Sequence, residues 1–157
     1  FFVCGGNTFR LLKHLQDIGL LFNLRQRVFE GAKYIGASAG SNLACPTIRT
    51  TNDMPIVWPR GLNALDLVFF QINPHYLDPD PNFPHMGETR ETRIREFHEE
   101  NDTPVVGLRE GSWLVIGKGS QGVITLFGKP ARIFNRGQEP FDCSPGVIHH
   151  IKFPEVK

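Results

Sequence analysis

Two glycine-rich turns, each set between a short apolar run and a helical pattern, constrain this chain most. The first is Cys4-Gly5-Gly6-Asn7-Thr8, behind Phe1-Phe2-Val3. The second is Gly36-Ala37-Ser38-Ala39-Gly40, behind Lys33-Tyr34-Ile35. Its Gly-x-Ser-x-Gly spacing suits a sharp strand-to-helix turn that holds a serine hydroxyl exposed at the end of a sheet. The competing reading is a tight β-α connection in which Ser38 merely caps the helix. The order strand, helix, strand, helix argues for a parallel sheet with right-handed crossovers. Such sheets carry their sites at the carboxyl ends of the strands, where both turns are expected.

The first helix has Phe9, Leu12, Leu15 and Ile18 recurring on one face, Asn7 or Thr8 as N-cap and Gly19 as its stop. A second helix runs from Leu21 to Glu30 and ends at Gly31. Lys33–Ala37 reads as a strand, and 39–45 as a helix stopped by Pro46. A loop follows over 47–59, then a strand over Asp66–Ile72, which leads into Asn73-Pro74-His75-Tyr76. The segment 77–87 is an irregular loop with Pro79, Pro81 and Pro84. A charged helix is expected over Glu88–Asn101 with Ile94 and Phe97 inward, then a strand over Pro104–Leu108 leading to Arg109-Glu110-Gly111. Short antiparallel strands follow at 113–116, 123–127 and 131–134, and the tail from Gly137 reads as loose or an edge strand. The fold class is α/β: a mostly parallel sheet with flanking helices, and antiparallel strands toward the C-terminus.

Composition bounds the function. The chain has 157 residues, 40% hydrophobic and 21% charged, which fits one domain over 1–157 with a sizeable core. A net charge of +1 leaves no electrostatic footprint for nucleic acid or an anionic membrane. Apolar stretches fall short of a membrane span. The three cysteines, Cys4, Cys45 and Cys143, are widely spaced, which fits a reducing cytoplasm rather than a disulfide framework. No His, Cys and carboxylate cluster has metal-ligand spacing, so no metal is expected. The chain opens on Phe1-Phe2-Val3 without a methionine; this reads as the end of a strand cut from something longer.

A serine nucleophile needs a base and a group that orients the base. Of six histidines, His14 and His98 fall within helices and read as solvated; His149 and His150 lie in the tail; His85 sits in the proline-rich loop without a clear role. His75 follows a buried strand at its carboxyl end, the sheet edge expected for Ser38, and is the candidate base. Asp53 and Glu110 are both candidate orienters, and the residues leave that choice open. Ala39 N–H and the Gly5–Gly6 turn are candidate oxyanion donors. Gly-Gly-Asn lacks the dinucleotide pattern, so no dinucleotide is expected. Cys45 reads as a buried residue packed under the turn.

The longer motifs resemble one family. Phe2-Val-x-Gly-Gly-Asn-Thr-Phe-x-Leu-Leu12, Tyr34-Ile-Gly-x-Ser-Ala-Gly40, Cys45-Pro-Thr-Ile-Arg-Thr-Thr-Asn-Asp-Met-Pro-Ile-Val57, Gln71-Ile-Asn-Pro-His-Tyr76, Gly87-Glu-Thr-Arg-Glu-x-Arg-Ile94 and Gly107-Leu-x-Glu-Gly111 together resemble the peptidase E, or α-aspartyl dipeptidase, family. The resemblance covers about Phe1 to Phe134. It implies a serine peptidase on a class I glutamine amidotransferase-like fold that hydrolyses dipeptides with an N-terminal aspartate and needs no cofactor. It further implies Ser38 as nucleophile, His75 as base, Gly6 and Ala39 as the oxyanion hole, and either Asp53 or Glu110 in the third role. Members of the family carry further N-terminal strands and helices, and often an aromatic residue where Ala37 stands.

The substrate expected is a small peptide, Asp-X. Its β-carboxylate suits the planar fork of Arg90, and its ammonium suits Glu88 or Asp53; Asn7 is a further candidate contact. Neither nucleic acid nor a membrane is an expected partner, and the chain is expected to be a monomer or homodimer. Two other readings compete: a cyanophycinase-like hydrolase of an aspartyl polymer, and a non-catalytic binding module of the same fold. The Thr47-Ile-Arg-Thr-Thr-Asn-Asp-Met54 segment favours the dipeptidase.

Overall fold

The computed structural model describes residues 1–79, 87–117, 122–149 and 151. Pro81, Pro84, His85 and His150, for which the sequence raised expectations, lie outside the described residues. The chain divides into two compact units, Phe1–Pro74 and His75–Lys157.

The first unit follows the expected order. Strand β1 (Phe2–Val3) leads through the glycine turn into helix α1 (Thr8–Asp17). Asn7 is the N-cap, its side chain accepting from Arg10 N. Gly19, with a φ of 66°, separates α1 from helix α2 (Leu20–Phe29). Strand β2 (Ile35–Gly36) pairs in parallel with β1, Phe2 opposite Ile35 and Val3 opposite Gly36. Helix α3 (Ala39–Ala44) then begins directly after Ser38. Leu12, Leu15, Leu24, Leu43, Ile48 and Leu65 form the core of this unit, with Val3, Phe9 and Tyr34 packed against it.

Two expectations need correction here. Ile18 does not join Leu12 and Leu15 in the core: it is the C-cap of α1, past the last helical turn, and is exposed. The strand expected over Asp66–Ile72 is strand β3 over Gln71–Pro74. The apolar residues before it have another task. Leu65 N, Asp66 N and Leu67 N donate to the carbonyls of Leu43, Cys45 and Ala44, each at 2.9 Å. These are carbonyls that the end of a short helix leaves without intrahelical donors. Asp66 adopts a φ of 50° to make this turn.

The second unit holds helix α4 (Arg90–Glu100), strand β4 (Val105–Leu108), β5 (Trp113–Ile116), β6 (Ile124–Phe127), β7 (Ala131–Phe134), β8 (Phe141–Cys143) and β9 (Gly146–Val147). Thr89 caps α4 by accepting from Thr92 N. β7 pairs antiparallel with β4 and with β8. β6 pairs antiparallel with β5 and with β9, and Trp113 stacks on Phe127 directly opposite it. The tail from Gly137 thus contributes β8 and β9 as paired strands. Tyr76, Ile94, Val105 and Phe134 form the core. The fold is α/β, with antiparallel strands toward the C-terminus, as expected. Among the described residues no helix is long and apolar enough to cross a membrane.

His98 also departs from expectation. It is buried on α4, not solvated, and its Nε2 donates to Thr103 O at 3.0 Å. Burial holds its pKa below the ordinary 6.5, aided by Arg136 and opposed by the Thr103 bond and Asp102. The folded state therefore takes up this proton at lower pH than the unfolded chain. The neutral His98 contributes its full stability above about pH 6.5, and that contribution falls as acidification proceeds toward the depressed folded pKa. Urea midpoints at pH 7 and pH 5 are expected to differ less for His98→Gln than for the wild-type chain. An unchanged difference would refute the assignment.

Candidate active site

The first unit builds a serine turn. Ser38 sits between β2 and α3 with φ 55° and ψ −113°. A non-glycine residue reaches such a conformation only when its surroundings impose it. They do so by close backbone packing. A methyl group on Gly36 would lie 2.5 Å from the Gly40 carbonyl oxygen, and one on Gly40 would run into the Val3 carbonyl. β1, β2 and the start of α3 approach so closely that only glycine fits at these two positions. Tyr34 adds a bond, its hydroxyl donating to Gly40 O at 2.7 Å. Burial raises the Tyr34 pKa, so the hydroxyl keeps its proton for this role.

The capping reading of Ser38 does not hold: its side chain makes no cap hydrogen bond to α3. The hydroxyl instead faces the glycine turn. The Cβ position of Gly5 lies 3.2 Å from Ser38 Cβ and 3.5 Å from Ser38 Oγ. Gly6 follows with a φ of 141°. Ala39, the first residue of α3, contributes an N–H that the helix itself does not use. The Gly5 backbone and the start of α3 thus both adjoin the serine.

Asp53 belongs to this unit. Its Oδ2 accepts from Thr8 N at 2.7 Å and from Thr8 Oγ1 at 2.6 Å, and Thr51 Oγ1 donates to Thr8 Oγ1 at 2.9 Å. Asn7 is likewise engaged on both sides of its amide, capping α1 and donating to Met54 O at 2.9 Å. Together these residues anchor the turn that faces Ser38. Cys45 is fully buried, its thiol pushed up to about 12 by burial. It donates to Ser41 O and accepts from Ile72 N.

The second unit brings His75 and Glu110 together. A Glu110 carboxylate oxygen pairs with His75 Nδ1. His75 has a φ of 55° and is half-exposed. Two contacts tie the His75 segment to the Glu110 segment. Tyr76 N donates to Leu108 O at 3.1 Å. Arg109 forks onto both Asp78 oxygens at 2.7 Å, and reaches Asp142 Oδ1 at 3.0 Å and Pro130 O at 2.7 Å. The Arg109 bonds hold the Asp78 carboxyl below its ordinary range. A methyl group on Gly107 would lie 2.8 Å from the Tyr76 ring, which shows how closely β4 packs against this segment. A neutral imidazole whose Nδ1–H donates a hydrogen bond to a carboxylate presents the Nε2 lone pair as a base.

At the N-terminus of α4, Arg90 is partly buried and has no carboxylate partner among the described residues; burial, with Arg93 nearby, lowers its pKa. Glu88 pairs with Arg93 at 3.5 Å. Sequence reasoning assigns no site role to Thr8 and Tyr34, which shape the turn. Their signal was their place inside the glycine-bearing motifs, but the contacts that define them span up to 45 residues.

The family model for Peptidase family S51 matches residues 1–124. The chain belongs to that family. It is 58% identical over 146 residues to the peptidase E of Streptomyces coelicolor, covering 92% of this chain and 59% of the relative. It is 51% identical over 147 residues to the peptidase E of Salmonella typhimurium, covering 92% of this chain and 62% of the relative. A crystal structure of a Listeria monocytogenes EGD-e protein carrying the peptidase E name matches with a TM-score of 0.54 and 25% identity, over 91% of this chain and 58% of that one. The chain thus spans about three fifths of the length of the relatives it matches.

Proposed function

We propose that this S51 chain is a serine-type dipeptidase that hydrolyses dipeptides with an N-terminal aspartate through an acyl-enzyme on Ser38. The observation that carries the reading is Ser38 itself. Its imposed backbone conformation, and a hydroxyl not spent on capping and set against the Gly5 backbone, are what a nucleophile needs and a cap does not. The name peptidase E, borne by relatives 58% and 51% identical, supports the substrate class.

In this reading His75 takes the Ser38 proton as Oγ attacks the scissile carbonyl, and returns it to the leaving amine. Glu110 orients the imidazole and stabilises its charged form. The N–H groups of Gly6 and Ala39 receive the negative charge that develops on the carbonyl oxygen. Water, activated by the same histidine, then releases aspartate. Asp53 serves a different purpose: it holds Thr8, and with it the Gly5–Gly6 turn, in place. Fluorophosphonate labelling that disappears in Ser38→Ala, together with Asp-Leu cleavage, is the test. A folded protein that neither labels nor cleaves would sink the reading.

The two carboxylates are expected to separate by phenotype. Glu110→Gln should lower kcat by about 10³-fold or more with little change in melting temperature, since it leaves the histidine wrongly oriented. Asp53→Ala should cost about 1.5–3 kcal/mol of stability through the loss of charge-assisted bonds to Thr8. The reverse pattern, seen in melting curves and steady-state kinetics, would exchange their roles.

Arg90 is assigned to the substrate β-carboxylate. A partly buried guanidinium with no carboxylate partner among the described residues is disposed to bind one. Arg90→Ala should reduce kcat/KM on Asp-Leu by roughly 10–100-fold, mainly through KM, on the worth of a charged hydrogen bond. An unchanged kcat/KM would remove Arg90 from the site.

A further inference from the structure

His75 owes its placement to the peptide group before it. Its φ of 55° is a conformation that non-glycine residues rarely hold without external restraint. The Pro74–His75 peptide plane is the reference from which that φ is turned. The carbonyl oxygen of this plane accepts a hydrogen bond from Asn52 Nδ2 at 2.7 Å. Asn52 is itself held: its Oδ1 accepts from Asn73 Nδ2 at 2.8 Å, and the same Asn73 nitrogen donates to Thr50 O at 2.9 Å. Asn73 is buried.

The grip extends back along β3. Ile72 O accepts from Asn42 Nδ2 at 2.8 Å and from Thr50 Oγ1 at 3.0 Å, while Ile72 N donates to Cys45 Sγ at 3.2 Å. Side chains of α3 and of the 50–52 segment therefore hold β3 peptide group by peptide group. Asn52 holds the last of these groups, the one shared with His75. The other bonds fix the strand; the Asn52 bond acts on the plane that aims the histidine.

We propose that Asn52 is a positioning residue for the His75 imidazole, acting through the Pro74–His75 peptide. The inference rests on His75 as the general base. Without the Asn52 donor the Pro74 carbonyl turns, the φ of His75 relaxes toward the ordinary negative range, and the ring leaves its working direction. Displacements of about 1 Å in such groups cost about 10²-fold in rate.

Asn52→Asp tests this. It keeps the size of the side chain and the acceptor for Asn73, but sets a carboxylate against the Pro74 carbonyl. Its kcat on Asp-Leu should fall about 10²-fold with KM within about twofold, and it should cause no further loss in a His75→Ala background. The His75 imidazole resonances in 1H–15N spectra should shift, while the melting curve shows a folded protein. Asn52→Ala, carrying the same two readouts, replaces it if the aspartate variant does not fold. An equal loss in both backgrounds, or a loss carried by KM with unmoved His75 resonances, overturns the proposal. Full activity of His75→Ala alone would overturn the reading of His75 as base; the resonances would still report separately whether Asn52 sets the ring.

Discussion

Ser38→Ala is expected to abolish Asp-Leu hydrolysis, by roughly 10⁴–10⁶-fold in kcat, while leaving the melting temperature within a degree or two of wild type. In the proposed mechanism the activity loss follows from removing the attacking atom, which leaves His75, Glu110 and the oxyanion donors nothing to act on. The small stability effect follows from geometry. Alanine accepts the same backbone strain as serine, and the hydroxyl does not cap α3. Ser38→Gly extends the test. Glycine tolerates a φ of 55° without cost, so this variant should be equally inactive yet more stable, by about 1 kcal/mol. A serine kept in a costly conformation at the expense of stability is expected where function requires it. Residual activity in Ser38→Ala above roughly one part in 10³, or a Ser38→Gly variant less stable than wild type, would contradict this account.

Gly40→Ala is expected to have the largest effect on stability, about 3 kcal/mol or more, enough to unfold a marginally stable unit. Its methyl group would collide with the Val3 carbonyl oxygen and press on Val3 Cβ at 3.1 Å. These contacts are with the β1 strand that pairs with β2, so relief requires separating α3 from the sheet. Gly36→Ala should behave similarly, since its methyl would meet the Gly40 carbonyl. Gly61→Ala is the control: nothing stands within 4 Å of the position its methyl would take. It should be neutral within about 0.5 kcal/mol. Urea denaturation of the three variants provides the measurement. Comparable midpoints for Gly40→Ala and Gly61→Ala would show that the turn is not held by backbone packing.

The His75–Glu110 pair illustrates how far pattern reasoning reaches. Strand-end placement singled out His75 among six histidines, and left both Asp53 and Glu110 as partners. Nothing in local spacing separates them, because a carboxylate finds its partner through tertiary contacts that sequence distance does not report. The structure pairs Glu110 with a histidine 35 positions away and Asp53 with a threonine 45 positions away. His98 escapes pattern reasoning for a different reason. A charged helix with a weak apolar face reads as solvated at that position, yet His98 is buried and bonded to the Thr103 carbonyl.

What the sequence determined by itself was the local grammar. Glycine at 36 and 40 around Ser38, Asn7 as the cap of α1, Gly19 and Gly31 as helix ends, and apolar runs of strand length follow from backbone sterics and hydrogen bonding within a few residues. These choices are decided locally, so they are legible locally. Family membership was legible for a related reason: the motifs that carry it are contiguous. Only the tertiary structure decided what each polar group is for. The apolar residues before β3 close off α3, Asp53 anchors the glycine turn, Arg109 straps the His75 segment to the Glu110 segment, and Asn52 grips the peptide ahead of His75. Each of those assignments depends on a partner 20 or more residues away, where hydrogen-bond direction and burial settle the choice between residues of identical type.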